Sequence, residues 1–388
     1  MRICIDISQT VYEGTGSGRY VIELVNELLS QDLTNDYLLF GSAMQRFPEL
    51  EQVISRIKSR GADTPFSTKL FRFPPKLYEI LWNSLHIIPI ESWIGEIDVY
   101  HSSDWVEAPS KAKRVTTVHD LIPFLYPEYV HPRIVAAHTH RWEIIRREID
   151  SIIVDADVTK KDIIARFNIP ESKITVIPLG CDSRFFSIGK LNTEDSLSSN
   201  AQSIQTLQTF GLTGRSYILS VGTLEPRKNI SRLIEAYSLL DNDIKTKYPL
   251  VIVGKKAWIG EFDLPKGVIF TGYVDDIDLP YLYGNAKCFV MPSLYEGFGL
   301  PVLEAMASGT PVICSNRSSL PEIGGDDVHY IENPEEIESI RLVLYHVLTS
   351  DSQELAMVAK SAYTRAMGYS WQRTAHETLN VYSKLFKG

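Results

Sequence analysis

Short, nearly all-apolar runs alternate with longer amphipathic ones along this chain. The runs Arg2–Ile7, Tyr37–Phe40, Val99–His101, Arg114–Val118, Ser151–Val154 and Ile174–Ile177 predict strands. After a gap the pattern restarts with Tyr217–Val221, Leu250–Val253, Val268–Thr271, Cys288–Met291 and Val312–Cys314. Between them Gly18–Ser30, Arg133–Ile149, Asn229–Leu240, Leu300–Ala307 and Glu335–Leu348 place their apolar residues at helical spacing. Strands this short and apolar, separated by helices, belong to parallel sheets covered on both faces. The chain reads as α/β.

Residues 191–214 break the rhythm: thirteen of these 24 residues are Ser, Thr, Asn or Gln. Such composition reads as a linker and divides the chain into 1–190 and 215–369, two doubly wound halves of similar size. A long surface insertion within one domain is the alternative. The stretch Ser370–Phe386 is amphipathic and is expected to be a helix, with 370–388 packing back on the first half. Open α/β sheets bind ligands beyond the carboxyl ends of their strands, so two such halves facing one another are expected to hold a cleft.

The net charge of -9 excludes the domain-wide basic excess of a nucleic-acid binder. The four cysteines form no CxxC pair, which disfavours a zinc site or disulfide framework and points to a reducing compartment. No run approaches the ~18–20 apolar residues of a membrane span, and MRICIDIS reaches Asp6 too soon for a signal peptide. The expectation is a soluble, cytoplasmic protein.

Four loops carry candidate chemistry. Gly14-Thr15-Gly16-Ser17-Gly18 follows the first strand and opens a helix, where glycines admit a close ligand and the helix start favours phosphate. The spacing is not GxGxxG, which weakens a dinucleotide-binding dehydrogenase; a purely structural turn remains open. Gly222-Thr223-Leu224-Glu225-Pro226-Arg227-Lys228 follows the first strand of the second half and sets two cations at a helix start, suiting a diphosphate. A solvated basic pair is the alternative. In Glu296-Gly297-Phe298-Gly299-Leu300-Pro301-Val302-Leu303-Glu304 a glycine loop runs into a helix. The amides of Phe298, Gly299 and Leu300 are expected to be anion donors, and Glu296 and Glu304 to accept from hydroxyls. His119 ends an apolar strand, placed for hydrogen bonding or acid–base work, unless it is a structural histidine held by Asp120.

Asp155-Ala156-Asp157 has the DxD form of a metal site but reads better as a loop and helix cap. Residues 53–78 hold six Lys or Arg against Asp63, with Phe66, Phe71, Phe73 and Tyr78 among them. This suits peripheral contact with the inner face of a membrane or a lipid-diphosphate acceptor; a solvated basic face is the alternative.

Glu296 and Glu304 form an E-x7-E pair in EGFGLPVLE, preceded by VGTLEPRKN and followed by ASGTPVI. With the Gly loop, HDLIPFLYPEY, ITVIPLG, GYV and SWQRTA, these blocks resemble the retaining glycosyltransferases of family 4, over nearly the whole chain. VGTLEPRKN and HDLIPFLYPEY further resemble the bacterial mannosyltransferase-like branch that builds O-antigen and other surface polysaccharides. The resemblance implies a GT-B fold, a nucleotide-sugar donor (GDP-mannose in that branch), a glycan or lipid-linked glycan acceptor on the side of the first half, and neither metal nor cofactor.

Carried over by position, the family pattern gives Glu296 the donor-sugar hydroxyls, Phe298–Leu300 the distal phosphate or sugar, and Glu304 the ribose. Arg227 and Lys228 would neutralise the diphosphate, Gly16 would approach it from the Gly16–Gly18 loop, His119 would contact the transferred sugar, and Val274 would meet the base through its backbone. One departure stands out: Thr223 occupies a place where many members carry Arg, which leaves Arg227 to supply that charge. A GT-B nucleotide-sugar 2-epimerase and a catalytically inactive nucleotide-sugar-binding protein are the rival functions.

Overall fold

The computed structural model describes residues 1–12, 14–60, 64–193, 197–212, 216–255 and 265–387. The chain forms two compact units: Met1–Gly180 with the residues from 371 onward, and Cys181–Ser370.

The first unit contains β1 (Arg2–Asp6), β2 (Asp36–Ala43), β3 (Phe66–Arg72), β4 (Val99–Ser102), β5 (Lys113–Val118), β6 (Ser151–Val154) and β7 (Ile174–Val176), in the order β3-β2-β1-β4-β5-β6-β7. The second contains β8 (Ile218–Val221), β9 (Leu250–Val253), β10 (Val268–Gly272), β11 (Cys288–Met291), β12 (Val312–Ser315) and β13 (His329–Ile331), in the order β10-β9-β8-β11-β12-β13. Every pairing is parallel. In each unit the winding reverses between the first strand and the fourth, β1 beside β4 and β8 beside β11. The loops that follow those two strands part there and leave a crevice.

Two strands escape the hydrophobic pattern. β3 alternates Lys69 and Arg72 with half-buried apolar residues, as an edge strand does, and β13 has only three residues. Because β3 lies inside 53–78, that stretch is not one exposed face. Tyr78 is buried, and Phe73 and Trp82 lie with ring centroids 4.6 and 4.5 Å from it. Phe71 and Phe73 pack against the same core. The aromatics expected at a membrane surface are therefore largely interior; Asp63 lies outside the described residues. No helix among the described residues is long and apolar enough to cross a membrane.

The polar stretch 191–214 is also corrected. The division falls after Gly180, and the helices Ser183–Thr193 and Ala201–Thr209 belong to the second unit. Some of its polar residues pack, Ser203 and Thr206 being buried. Asn200 caps the second helix by accepting from the Ser203 amide, Thr206 donates to Asp278 at 2.7 Å, and Asn285 donates to the Ser203 hydroxyl. Residues 194–196 and 213–214 of that stretch lie outside the described residues.

The helix Trp371–Lys387 packs on Gly16–Gln31 within the first unit. Trp371 and Tyr382 are buried, and the Tyr382 hydroxyl lies 2.6 Å from His101 Nδ1. The Thr374 hydroxyl donates to the Pro178 carbonyl at 2.8 Å.

Beneath the strand ends of the first unit, the helix Pro132–Glu148 sends Arg141 into the interior, where it is 1% exposed. Its guanidinium meets Glu107 at 3.0 Å and donates to the Thr116 hydroxyl at 2.6 Å. Removing one member of a buried ion pair strands the other charge, at about 3–5 kcal/mol. Arg141→Met is expected to lower the urea midpoint of the first unit's unfolding by a corresponding amount, and Arg141→Met with Glu107→Leu to recover much of it. Equal destabilisation of both variants contradicts the ion-pair account.

Candidate active site

The crevice of the second unit is built by the loops that follow β8, β9 and β11. The first two loops close on each other: the Gly222 amide donates to the Val253 carbonyl, and a Cβ on Gly254 (φ 152°) would lie 2.0 Å from the Gly222 carbonyl. Only glycine fits there. The short 3-10 turn Pro226–Lys228 follows, ended by Asn229 in the left-handed region. Asn229 is buried and donates to the carbonyls of Pro292 and Pro334, and the Leu294 amide donates to the Arg227 carbonyl at 2.8 Å. The loop bearing the cations is thereby fastened to the loop bearing Glu296.

This fastening produces a charge cluster. Lys228 Nζ donates to Glu296 Oε1 at 2.7 Å, and Arg227 donates to Glu296 Oε2 and to Glu225 at 2.9 Å each. All three central groups are largely buried: Glu296 is 6% exposed and the side chains of Arg227 and Lys228 are 16% and 12% exposed. Burial alone would raise the Glu296 pKa, but the Lys228 and Arg227 charges outweigh it and hold it at about 2. Burial pulls Lys228 down, opposed by Glu296. The stability that ionised Glu296 contributes is complete above its ordinary 4.5 and is lost as the pH falls toward about 2.

Glu296, expected on donor hydroxyls, thus also fixes both cations. Arg227 and Lys228, expected to neutralise the diphosphate, are ion-paired with Glu296. Thr223 brings no charge; its carbonyl accepts from the Glu225 amide.

The backbone around Glu296 is pinned from the loop after β12. The Ser318 hydroxyl, on a residue with φ 49°, accepts from the Glu296 amide, and the Ser319 hydroxyl lies 2.9 and 2.7 Å from the carbonyls of Glu296 and Phe298. Gly299 has φ 107°, and a Cβ there would lie 2.6 Å from Leu320. It turns the chain into the helix Leu300–Ala307, whose Glu304 is buried and accepts from the Tyr283 hydroxyl at 3.0 Å. Phe298 is buried, and Pro301 takes the second helical position. Val274 follows β10 and is buried.

The first unit carries Gly16, Gly18 and His119. Gly16 begins a helix and is exposed. The Gly18 amide is satisfied by the capping Thr15 hydroxyl at 3.2 Å, and a Cβ on it would crowd that hydroxyl at 3.0 Å. Gly18 is therefore a packing glycine and not a donor to ligand. His119 is held through Nδ1 by Asp155, at 2.7 Å, and not by Asp120, whose carboxylate accepts from the Ile122 amide. The Tyr20 ring stands edge-on to His119 at 4.9 Å, and His119 Nε2 is buried without a hydrogen-bond partner among the described residues. Asp157 lies in the first turn of the helix Asp157–Phe167, which is capped by Ala156 without a side-chain bond. Asp155 is therefore not the helix cap, and one of its oxygens is taken by His119.

Sequence reasoning missed Asp155 as the partner of His119, the Ser318–Ser319 pins, Tyr283 and Glu225. The link to Asp155 lies in strand register, which the sequence does not show. β5 and β6 pair with Val118 opposite Val154, so the residues next in the chain, His119 and Asp155, emerge side by side.

Residues 14–185 match the family model described as Glycosyltransferase Family 4, and residues 208–365 match that of Glycosyl transferases group 1. O-antigen chain mannosyltransferase B of Escherichia coli is 32% identical over 400 residues, covering 99% of this chain and 100% of that protein. Serotype-specific mannosyltransferase WbdA of Escherichia coli is 33% identical over 288 residues, 71% of this chain and 34% of that protein. Among solved structures, a glycosyltransferase from Rickettsia africae ESF-5 superposes with a TM-score of 0.71 at 17% identity, covering 100% of this chain and 99% of the other. Anabaena Alr3699/HepE in complex with UDP and glucose gives 0.69 at 16% identity, covering 99% and 100%.

The Asp155 contact sets the charge of His119. Burial lowers its pKa, but the Asp155 charge and hydrogen bond raise it to about 9. The pair's contribution to stability is thus complete below 6.5, the ordinary value, and lost as the pH rises through about 9. An NMR titration of the His119 ring is expected to show a midpoint near 9 in the native protein and a clearly lower one in Asp155→Asn, where burial is opposed only by the more weakly acting charges of Asp104 and Asp120. Unchanged midpoints contradict the assignment.

Proposed function

The chain belongs to glycosyltransferase family 4, and we propose that within it this enzyme transfers a hexose from a nucleotide sugar onto a growing glycan, by a retaining route that needs no metal. It is a glycosyltransferase of GT-B fold. For the sugar and the pathway we infer mannose, from GDP-mannose, in surface-polysaccharide synthesis. The support is the full-length similarity to an O-antigen chain mannosyltransferase, together with the VGTLEPRKN block.

The observation that carries the mechanism is the Arg227–Lys228–Glu296 cluster. Breaking the bond from the anomeric carbon to a diphosphate develops negative charge on the leaving group. Cations already fixed in position stabilise that charge without reorganising during the reaction. Glu296 does the fixing, and its carboxylate retains lone pairs for hydroxyls of the bound sugar. The amides of Phe298, Gly299 and Leu300 and the cations receive the phosphates, Glu304 the ribose, and the Val274 backbone the base. His119, oriented and charged by Asp155, donates from Nε2 to an oxygen of the transferred sugar. The acceptor hydroxyl attacks from the face the leaving group departs, and the departing phosphate oxygen takes its proton. One oxygen of Asp155 is engaged by His119, which weighs against its pairing with Asp157 as a DxD metal site.

Nucleotide release from GDP-, UDP-, dTDP- and ADP-sugars tests this, with cell-envelope lipid extract as acceptor, with and without EDTA. Release from GDP-mannose is expected to require acceptor, to survive EDTA, and to fall by about a hundredfold or more in Glu296→Ala. Activity abolished by EDTA and restored by Mn²⁺ contradicts the metal-free route. Conversion of donor without acceptor identifies an epimerase, and donor binding without turnover in every mixture identifies an inactive binding protein.

A further inference from the structure

The charge cluster of the second unit includes one carboxylate for which the reaction described above has no use. Glu225 precedes the turn that carries Arg227 and Lys228, and its Oε2 accepts from Arg227 Nε at 2.9 Å. Its backbone is fixed on both sides. The Glu225 amide donates to the Thr223 carbonyl at 2.8 Å, and its carbonyl accepts from the Lys228 amide at 3.0 Å. Freedom to move therefore belongs to the side chain, which is 30% exposed against 8% for that of Glu296.

The two glutamates hold different parts of one guanidinium. Arg227 Nη1 is committed to buried groups, donating to Glu296 at 2.9 Å and to the Tyr295 carbonyl at 3.3 Å. Nε is committed to Glu225. A guanidinium binds phosphate best through two parallel N–H groups, and a phosphate approaching on the Nε side meets the Glu225 carboxylate already there. Charge points the same way. Arg227 and Lys228 bring two positive charges, and Glu296 and Glu225 bring two negative ones. The four sum to zero, so a diphosphate gains a net positive site only when one carboxylate withdraws. Glu296 is buried and held by both cations. Glu225 is half-exposed, where water replaces a lost ion-pair partner at little cost.

We propose that Glu225 is an internal competitor of the donor diphosphate: it holds Arg227 Nε before the donor binds, yields that position to a phosphate oxygen, and takes it back as the nucleoside diphosphate leaves. This rests on the reading of Arg227 and Lys228 as the diphosphate site. The sign of the effect sets Glu225 apart from its neighbours. Loss of its charge strengthens diphosphate binding, whereas loss of a group that only orients Arg227 weakens it.

The test uses the full chain as wild type, Glu225→Gln and Glu225→Ala. Calorimetry with GDP, UDP, dTDP and ADP identifies the nucleoside diphosphate that the wild type binds, and inorganic pyrophosphate is then titrated against it as a competitor. Both anions are expected to bind each variant about fivefold or more tightly, the scale of a half-exposed ion pair together with the repulsion of a nearby like charge. A gain in affinity is its own control for folding, and the second variant guards against misfolding of the first. Affinity unchanged or weakened in variants whose circular dichroism matches the wild type overturns the proposal while the donor reading stands. A gain for the nucleoside diphosphate without one for pyrophosphate also overturns it, since the effect then lies on the base or ribose. Failure of the wild type and both variants to bind any of the four nucleoside diphosphates overturns the donor reading, and this proposal with it.

Discussion

In an all-parallel sheet every strand delivers its next residue to the same edge, and the chemistry of this protein depends on that constraint. Asp6, Ser103, His119 and Asp155 each follow or end a strand of the first sheet. Gly222, Val274 and the Glu296 loop follow strands of the second. No two of these groups need be near in sequence, because register brings them together. The reversal of winding beside β1 and β8 then opens space at that edge, and the open space in each unit is lined by the side chains with unusual burial and charge.

Within the second unit the constraint creates an electrostatic problem that Glu296 solves. Two adjacent cations held largely out of water repel one another and lose hydration. A carboxylate between them offsets both effects and fixes their geometry, so positive charge stays concentrated and ordered before any ligand arrives. Fastening runs through backbone as well as side chains, since the Leu294 amide bonds to the Arg227 carbonyl and Ser318 and Ser319 grip the opposite side. The E-x7-E spacing follows: one glutamate ends the rigid loop, and Gly299 turns the chain so that the other rises on the buried face of the next helix.

Much of this was legible in the sequence, for identifiable reasons. Central strands are short, largely apolar runs, so β1, β4, β8 and β11 announce themselves, and with them the loops that follow. The E-x7-E block and the PRK turn are local in sequence and could be read as units. What could not be read was whatever depends on register or on the edge. β3 alternates because one face meets solvent, which disguised it as a basic stretch and its core aromatics as surface. Asp155 meets His119 only through the β5–β6 pairing. The Ser-, Thr- and Asn-rich segment looked like a linker because composition cannot distinguish hydroxyls that bond water from those, like Thr206 and Ser203, that bond a neighbouring helix.

The contact between Tyr382 and His101 spans 281 residues, and it bears on how the polypeptide acquires its shape as it is synthesised. The second unit is a continuous stretch and can close as soon as residue 370 has been made. The first begins at the amino terminus, yet Gly16–Gln31 keeps an uncovered apolar face until Trp371–Lys387 arrives. The usual order, in which amino-terminal domains mature first, is therefore inverted here: the half translated earliest is completed last, and for the intervening time its exposed face is the part of the nascent chain most in need of shielding.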